Sequence, residues 1–286
     1  MRGGADGRWP SMQRGGQVLL EQVDLRISGH TILEGIDLAI PPGCHAAVVG
    51  RSGAGKSSLV GLLLGWYRPA SGRVRVDGRE LDEAELSRLR LETAWVDPSV
   101  QLWNRSLMDN LRYGCPAGAP LDVGHAIEQA NLRSVLETLP DGLQTALGES
   151  GALVSGGEGQ RVRLGRGLLR PDVRLAILDE PFRGLDRAQR RELLARARCV
   201  WAGATMICVT HDVGETRGFD HVVVIESGRV VEQGAPSELL AGDGPYRALL
   251  DAEAGVRTEL WKSADWQHLW LEGGRVAPAG GAEEDR

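Results

Sequence analysis

The chain has 286 residues, a formal net charge of −6, 42% hydrophobic and 25% charged residues. That size and balance fit a globular α/β domain with a smaller subdomain. They speak against nucleic acid as the main partner, and the longest nearly apolar run, Leu59 to Tyr67, is far short of the ~20 residues that span a bilayer. The four cysteines, Cys44, Cys115, Cys199 and Cys208, form no C-x-x-C pair. They read as reduced residues, with Cys44 and Cys208 as small core fillers in strands. The six histidines show no metal-ligand spacing.

Residues 1–16 are rich in Gly and Arg, lack an apolar stretch and read as a flexible arm. From Gln17 to Ile27 apolar residues mostly alternate, as in an antiparallel or edge strand, and Ile32 to Ile40 supplies another. Pro41-Pro42-Gly43 then breaks the chain before the buried-strand run Ala46 to Val49. A helix is expected from Ser57 to Leu64 with its leucines turned inward. Strands are expected at Arg73–Val76 and Thr93–Val96, flanking a helix over Glu83–Leu91. Residues 99–155 change character, with helices expected over Ser106–Leu111, Leu121–Ala130 and Leu132–Leu139. Alternation of strand and helix then returns: Val173–Leu178, Arg187–Cys199, Ala204–Val209 and His221–Ile225, closed by a hairpin to Val230-Val231. The expected fold is a P-loop α/β domain with a mixed, mainly parallel core sheet, an antiparallel β subdomain and an inserted helical subdomain. Its domain span is 17–254, with the core in 17–98 and 159–254 and the helical insert in 99–158. Beyond it, residues 255–286 form a tail whose Trp261, Trp266 and Trp270 read as packing onto the core surface.

Chemistry concentrates first at Gly50-Arg51-Ser52-Gly53-Ala54-Gly55-Lys56-Ser57-Ser58. The stretch fits G-x-x-x-x-G-K-[S/T] between a strand and a helix, the setting of a phosphate-cradling loop. Glycines let successive backbone N–H groups converge on one anion, and the helix N-terminus adds about half a positive charge. Lys56 would reach the phosphates and the Ser57 hydroxyl would hold Mg²⁺. A glycine-rich turn without function is the plain alternative in a chain with 39 glycines. Against it, only Lys56 and Lys262 among the 33 basic residues are lysine. A chain that otherwise chooses Arg has placed one of its two compact ammonium groups here.

Three later stretches narrow the reading. Val173 to Leu178 ends in Asp179-Glu180, where one carboxylate can meet Mg²⁺ and the other can act as general base on water. Ser155-Gly156-Gly157-Glu158 opens a helix as a second anion-binding N-terminus, suited to covering the nucleotide of a facing chain. His211, after Val209-Thr210, ends the next strand where an imidazole can reach the γ-phosphate.

In their order and spacing these motifs resemble the nucleotide-binding domain of ATP-binding cassette (ABC) transporters over about Val18 to Glu253. The resemblance implies Walker A at Gly50–Ser57, the signature at Ser155–Gly157 with Glu158 in place of the usual Gln, and Walker B at Leu175–Asp179 with Glu180. It further implies the D-loop at Gly184-Leu185-Asp186 and the H-loop at His211. Catalytic roles would fall to Glu180, His211 and Lys56, and Mg²⁺ would rest on Ser57 and Asp179. Residues 145–151 and 102–111 are similar to segments of exporters of peptides and lipids. Two positions depart from the family. Ile27 stands where an adenine-stacking aromatic is usual, with His30 as a partial substitute. Asp97-Pro98 stands at the Q-loop, with Gln101 three residues on, so Asp97 or Gln101 is the candidate there for a Mg²⁺-linked role.

The resemblance implies a Mg²⁺-dependent ATPase that dimerises on ATP with a second cassette and drives export through a transmembrane partner. That partner is expected to be a separate polypeptide or the other part of a split chain. The implied place is cytoplasmic, peripheral on the inner face of the cell membrane, with no nucleic acid as partner. The alternatives are an ABC ATPase acting on DNA or ribosomes outside transport, and a regulatory, weakly active cassette.

Overall fold

A computed structural model describes residues 15–262, 269–272 and 275–278. In chain order it begins with strands β1 (Val18–Ile27), β2 (His30–Ile40) and β3 (His45–Val49), then helix α1 (Lys56–Leu63). Strands β4 (Ser71–Val76) and β5 (Arg79–Glu80), helix α2 (Glu83–Leu91) and strand β6 (Thr93–Val96) follow. The middle holds α3 (Leu107–Arg112), α4 (Val123–Gln129), α5 (Arg133–Thr138) and α6 (Gly156–Leu168). Then come β7 (Leu175–Asp179), α7 (Arg187–Val200), β8 (Thr205–Val209), β9 (His221–Glu226) and β10 (Arg229–Gly234). Helices α8 (Pro236–Ala241) and α9 (Pro245–Lys262) and strands β11 (Leu269–Glu272) and β12 (Arg275–Pro278) complete the described chain.

The large sheet has the order β10-β9-β3-β8-β7-β6, and every pairing in it is parallel except the antiparallel edge β9–β10. β3, β7 and β8 are buried along their whole length, as parallel strands covered on both faces must be. Their side chains alternate between two cores. Ala46, Val48, Ile177, Ile207 and Val209 pack with α1 and the antiparallel sheet β2-β1-β4-β5, whereas Ala47, Val49, Leu178, Met206 and Cys208 pack with α3–α7 and α9. The mixed, mainly parallel sheet and the antiparallel sheet are those expected from the alternation in the sequence.

Several expectations need correction. Gly15 and Gly16 are buried, and Gly16 donates to the Arg174 carbonyl (3.2 Å) while its own carbonyl accepts from Thr205 Oγ1 (2.6 Å). The end of the supposed arm is therefore tied to the sheet; residues 1–14 lie outside the described residues. Cys208 is a buried strand residue, but Cys44 precedes β3 and is half-buried. The 158/159 boundary falls inside α6, because the Ser155 cap starts one uninterrupted helix. Helix α8, with Pro at its start, and helix α9 were not foreseen. The 254/255 boundary falls inside α9, and the tryptophan side chains of the tail lie outside the described residues.

α9 has a structural duty toward the sheet edge. Its fully buried Tyr246 shares a hydrogen bond with Thr216 Oγ1 (2.8 Å), and Gly214 N donates to Glu253 Oε2 (2.8 Å). Both contacts pin the short 3₁₀ segment Val213–Gly218 that follows His211. Tyr246→Phe, which removes the hydroxyl, is expected to lower the unfolding free energy by about 1 kcal/mol. Tyr246→Ala, which also opens a cavity, should lower it by about 3–5 kcal/mol. Urea-unfolding midpoints of the two variants against wild type provide the measurement.

Candidate functional site

The register of the large sheet brings the sequence-predicted residues to one edge. Val48 pairs with Val209, Asp179 with Val209, and Val96 with Leu178. The residues that follow those positions, Gly50, His211, Glu180 and Asp97, therefore leave the sheet at neighbouring carboxyl ends, where open parallel sheets present their ligand crevice.

Gly50 to Ser58 wraps into the start of α1. Gly50 has φ 147° and Gly55 φ 106°. A Cβ at Gly50 would overlap the Ile225 carbonyl oxygen, and one at Gly55 would sit 2.7 Å from Leu33 Cδ2. Both glycines are therefore demanded by close packing as well as by conformation. Arg51, Ser52, Gly53 and Ser57 are exposed, Gly55 and Ser58 half-exposed, and Ala54 and Lys56 buried. Helices α2, α3, α4, α6 and α7 each begin with an Asp or Ser side chain that accepts a first-turn N–H. α1 begins on Gly55 with no side-chain cap and no acidic residue in its first turn. Its N-terminal amides are thus left for an external anion.

Lys56 Nζ donates to the carbonyls of Gly50 (2.9 Å) and Arg51 (3.0 Å) inside that loop. Burial lowers its pKa, and the carboxylates of Glu180 and Asp179 oppose the shift. Asp179 is buried, which raises its pKa; a hydrogen bond with Ser57 pulls it down, while Asp97 and Glu180 push it up further. Asp179 thus stands beside the Ser57 hydroxyl, and the β6–β7 register puts Asp97 on the neighbouring strand end. Asp97 is held by an Asx turn, its Oδ1 accepting from Ser99 N (2.6 Å). Gln101, the other candidate, has an exposed side chain, and its carbonyl accepts from Arg166 Nη1 (3.2 Å).

Glu180 is left-handed, with φ 46°, and its N–H donates to the Val209 carbonyl (3.0 Å). A non-glycine residue in that region costs about 1–2 kcal/mol, and such strain concentrates where a side chain must be aimed. The Glu180 Oε1 meets His211 Nε2 directly. The His211 side chain is 50% exposed and that of Glu180 29%, so the pair is open to solvent.

Ser155 and Glu158 form a complete capping box at the start of α6. Glu158 N donates to Ser155 Oγ (3.3 Å), and Ser155 N donates to Glu158 Oε2 (2.8 Å). Glu158 accordingly has a lowered pKa, chiefly from the Ser155 N–H. Gly157 packs against Leu185, so the signature stretch touches the stretch that leads into α7. Asp186 caps α7, accepting from Gln189 N (2.9 Å). Ile27 is half-buried in the core under the antiparallel sheet, and His30 is exposed.

Sequence reasoning missed the residues that brace His211. Asp212 forms an ion pair with Arg190 of α7, and Glu215, its side chain 7% exposed, lies 3.9 Å from Arg191 Nε. A signal was present. Arg187, Arg190 and Arg191 crowd the first turns of α7, whose dipole disfavours cations there, so they require carboxylates from another element.

A family model described as "ABC transporter" matches residues 33–183, more than half of the chain. The chain belongs to the ABC transporter family. It is an ABC ATPase domain, and among its described residues no helix is long and apolar enough to cross a membrane. An ATP-dependent lipid A-core flippase of Chromohalobacter salexigens is 38% identical over 218 residues, 76% of this chain and 38% of the flippase. Its counterpart in Pseudomonas aeruginosa is 37% identical over 219 residues, again 76% of this chain and 36% of the relative. The solved structure of a bacterial Atm1-family ABC exporter with ATP bound superposes with a TM-score of 0.79 at 30% identity, covering 85% of this chain and 43% of that one. The chain thus spans about two fifths of the length of the flippases it matches.

The capping box yields a pH-dependent expectation. Because the folded-state pKa of Glu158 is depressed below its ordinary 4.5, its charge contributes stability that is present above pH 4.5 and lost as pH falls through the depressed value. Glu158→Gln keeps an accepting oxygen but not the charge. The variant should be less stable than wild type near pH 7 by under ~1 kcal/mol, with the gap closing toward pH 3. Parallel denaturant titrations across that range measure the difference.

Proposed function

We propose that this chain binds MgATP at Gly50–Ser58 and hydrolyses it to drive export through a transmembrane partner. One observation carries the hydrolytic assignment: Glu180, strained and locked to His211, stands at the strand end beside the uncapped helix that begins at Lys56.

The free amides of the loop and of the first turn of α1 would receive the β- and γ-phosphates. Lys56 would exchange its contacts with the Gly50 and Arg51 carbonyls for phosphate oxygens, where its charge offsets the charge that develops in the transition state. Glu180 would take a proton from the attacking water, and His211, donating from Nε2, would hold that carboxylate in line. Ser57 and Asp179, with Asp97 beside them, would hold Mg²⁺, which when bound supplies neutralisation of the phosphate charge.

Ser155–Gly157 opens a helix whose Gly156 is exposed and Gly157 half-exposed. We assign it to the nucleotide of a second cassette, each loop being covered by the other protomer's signature stretch. Toward the membrane partner, a cleft of about 270 Å³ is lined by Leu64, Trp66, Trp95, Val100, Tyr113 and Arg170. Trp66 and Tyr113 are 51% and 57% exposed there, as befits apolar surface that a partner covers. Such coupling would place the cassette on the cytoplasmic face of the membrane. The names of the relatives favour a lipid-like cargo, which the membrane partner would select.

Glu180→Gln should bind MgATP but release phosphate at least about 100-fold more slowly than wild type, and should accumulate as an ATP-bound dimer. Phosphate release and light-scattering mass with ATP test both halves. A variant that turns over at the wild-type rate would remove Glu180 as the base.

A further inference from the structure

We infer that Arg190 is a positioning residue for hydrolysis: through its ion pair with Asp212 it fixes His211 against Glu180. The inference rests on the ATPase reading of the Glu180–His211 pair.

The contacts close a ring. Glu180 begins a hydrogen-bonded turn in which Arg183 N donates to its carbonyl (3.3 Å) and Leu185 N to that of Phe182 (3.2 Å). The turn leads into Asp186, the cap of α7. One turn later Arg190 Nη1 reaches back to Asp212 Oδ2, adjacent to His211, and His211 Nε2 returns to Glu180. A space of about 110 Å³ lies inside the ring, lined by Phe182, Arg183, Leu194, Cys208 and Thr210 among others.

Backbone bonds fix where the loop starts, Glu180 N–H donating to the Val209 carbonyl (3.0 Å) and Thr210 N–H to the Val48 carbonyl (3.2 Å), but neither holds the residues from His211 onward against α7. His211 is 50% exposed, and Glu180 is the partner that holds its ring. Asp212 N donates to Thr210 Oγ1 (3.1 Å) and Val213 N to the His211 carbonyl (3.1 Å), but both bonds are internal to the loop. The bonds that leave the segment toward α9, from Thr216 and Gly214, anchor its far end. Arg190–Asp212 is a side-chain tether on the residue next to His211, and with the longer Arg191–Glu215 contact (3.9 Å) it ties the loop to α7, the helix into which the Glu180 turn leads. Its side chains are 30% and 21% exposed, so water screens the pair only in part.

The surrounding charges account for why α7 supplies the cation. Asp212 and the buried Glu215 lie together on the loop, and Arg187, Arg190 and Arg191 face them from α7. Two carboxylates so close repel each other, and Asp212 adds to burial in raising the Glu215 pKa. Arg190 relieves that repulsion where it would otherwise swing Asp212, and His211 with it, away from the helix. A displacement of about 1 Å at a catalytic group can cost on the order of 100-fold in rate.

The test is a charge swap in the full chain, with wild type and His211→Ala as references. Arg190→Glu and Asp212→Arg should each lower kcat for ATP by about 10–100-fold, with KM and MgATP affinity changed less than about threefold. The double variant should regain most of the wild-type kcat, which assigns the loss to the ion pair, while a fall in kcat at unchanged KM and MgATP affinity separates positioning from a merely structural contact. Arg190→Met, which keeps the stem and drops the charge, should lose activity and remain folded by circular dichroism, so a misfolded Arg190→Glu leaves the question answerable. Wild-type kcat in Arg190→Met, or a double variant as slow as the singles while still binding MgATP, overturns the inference and leaves the ATPase reading intact. No hydrolysis by wild type, with MgATP bound, overturns both.

Discussion

A parallel sheet buried on both faces leaves polar chemistry nowhere to go but the strand ends. β3, β7 and β8 are inaccessible along their length, and their polar residues, His45, Asp179 and Thr205, stand only at strand ends, because neither core can accept an uncompensated polar group. Polarity therefore gathers at the strand ends, and parallel pairing puts the carboxyl ends on one edge. Gly50, Asp97, Asp179-Glu180 and Thr210-His211 come together for that reason, although up to 161 positions separate them in the chain.

The same edge holds charge under tension. Lys56 is buried and spends its donors on loop carbonyls, and Asp179 is buried between Ser57 and two further acidic groups. Each arrangement costs free energy in the isolated protein and is relieved by a ligand of the right sign. A polyanion would satisfy the ammonium and the α1 amides, and a divalent cation would satisfy the carboxylates. The left-handed backbone of Glu180 has the same logic: a local cost kept because the residue is held at both ends, by Val209 and by His211.

Helix termini divide into two kinds. Most begin on a side chain that satisfies the first-turn amides, and α7 uses Asp186 in this way. α1 has no such cap and lies in the strand–loop–helix setting that binds phosphate. α6 is intermediate, since its capping box closes on itself through Glu158 yet leaves Gly156 exposed and Gly157 half-exposed. A capping carboxylate at that place also explains physically how Glu158 fits: its charge is matched to the helix dipole and lies 3.9 Å from Arg161.

Local pattern was enough for the glycine-rich loop, the apolar strands and Asp179-Glu180, because each is a short-range statement about backbone freedom or burial. It also gave the order of strand and helix, and with it the mainly parallel sheet. It failed where meaning depends on contacts far along the chain. Gly16 looked like part of a loose arm, yet Thr205, 189 positions away, binds it. Asp97 and Gln101 were equal candidates by sequence, and the β6–β7 register alone brings Asp97 beside Asp179. Arg190 looked like one more arginine in a chain that prefers arginine. Only the fold sets it against Asp212, because an ion pair between two elements exists in the packing and not in either segment. The sequence by itself determined that a glycine-rich loop carrying one lysine would stand between strand and helix, since glycine freedom and one lysine require no partner to be read. The tertiary structure decided which carboxylates and cations meet around it, since register and packing, not proximity in the chain, set those distances.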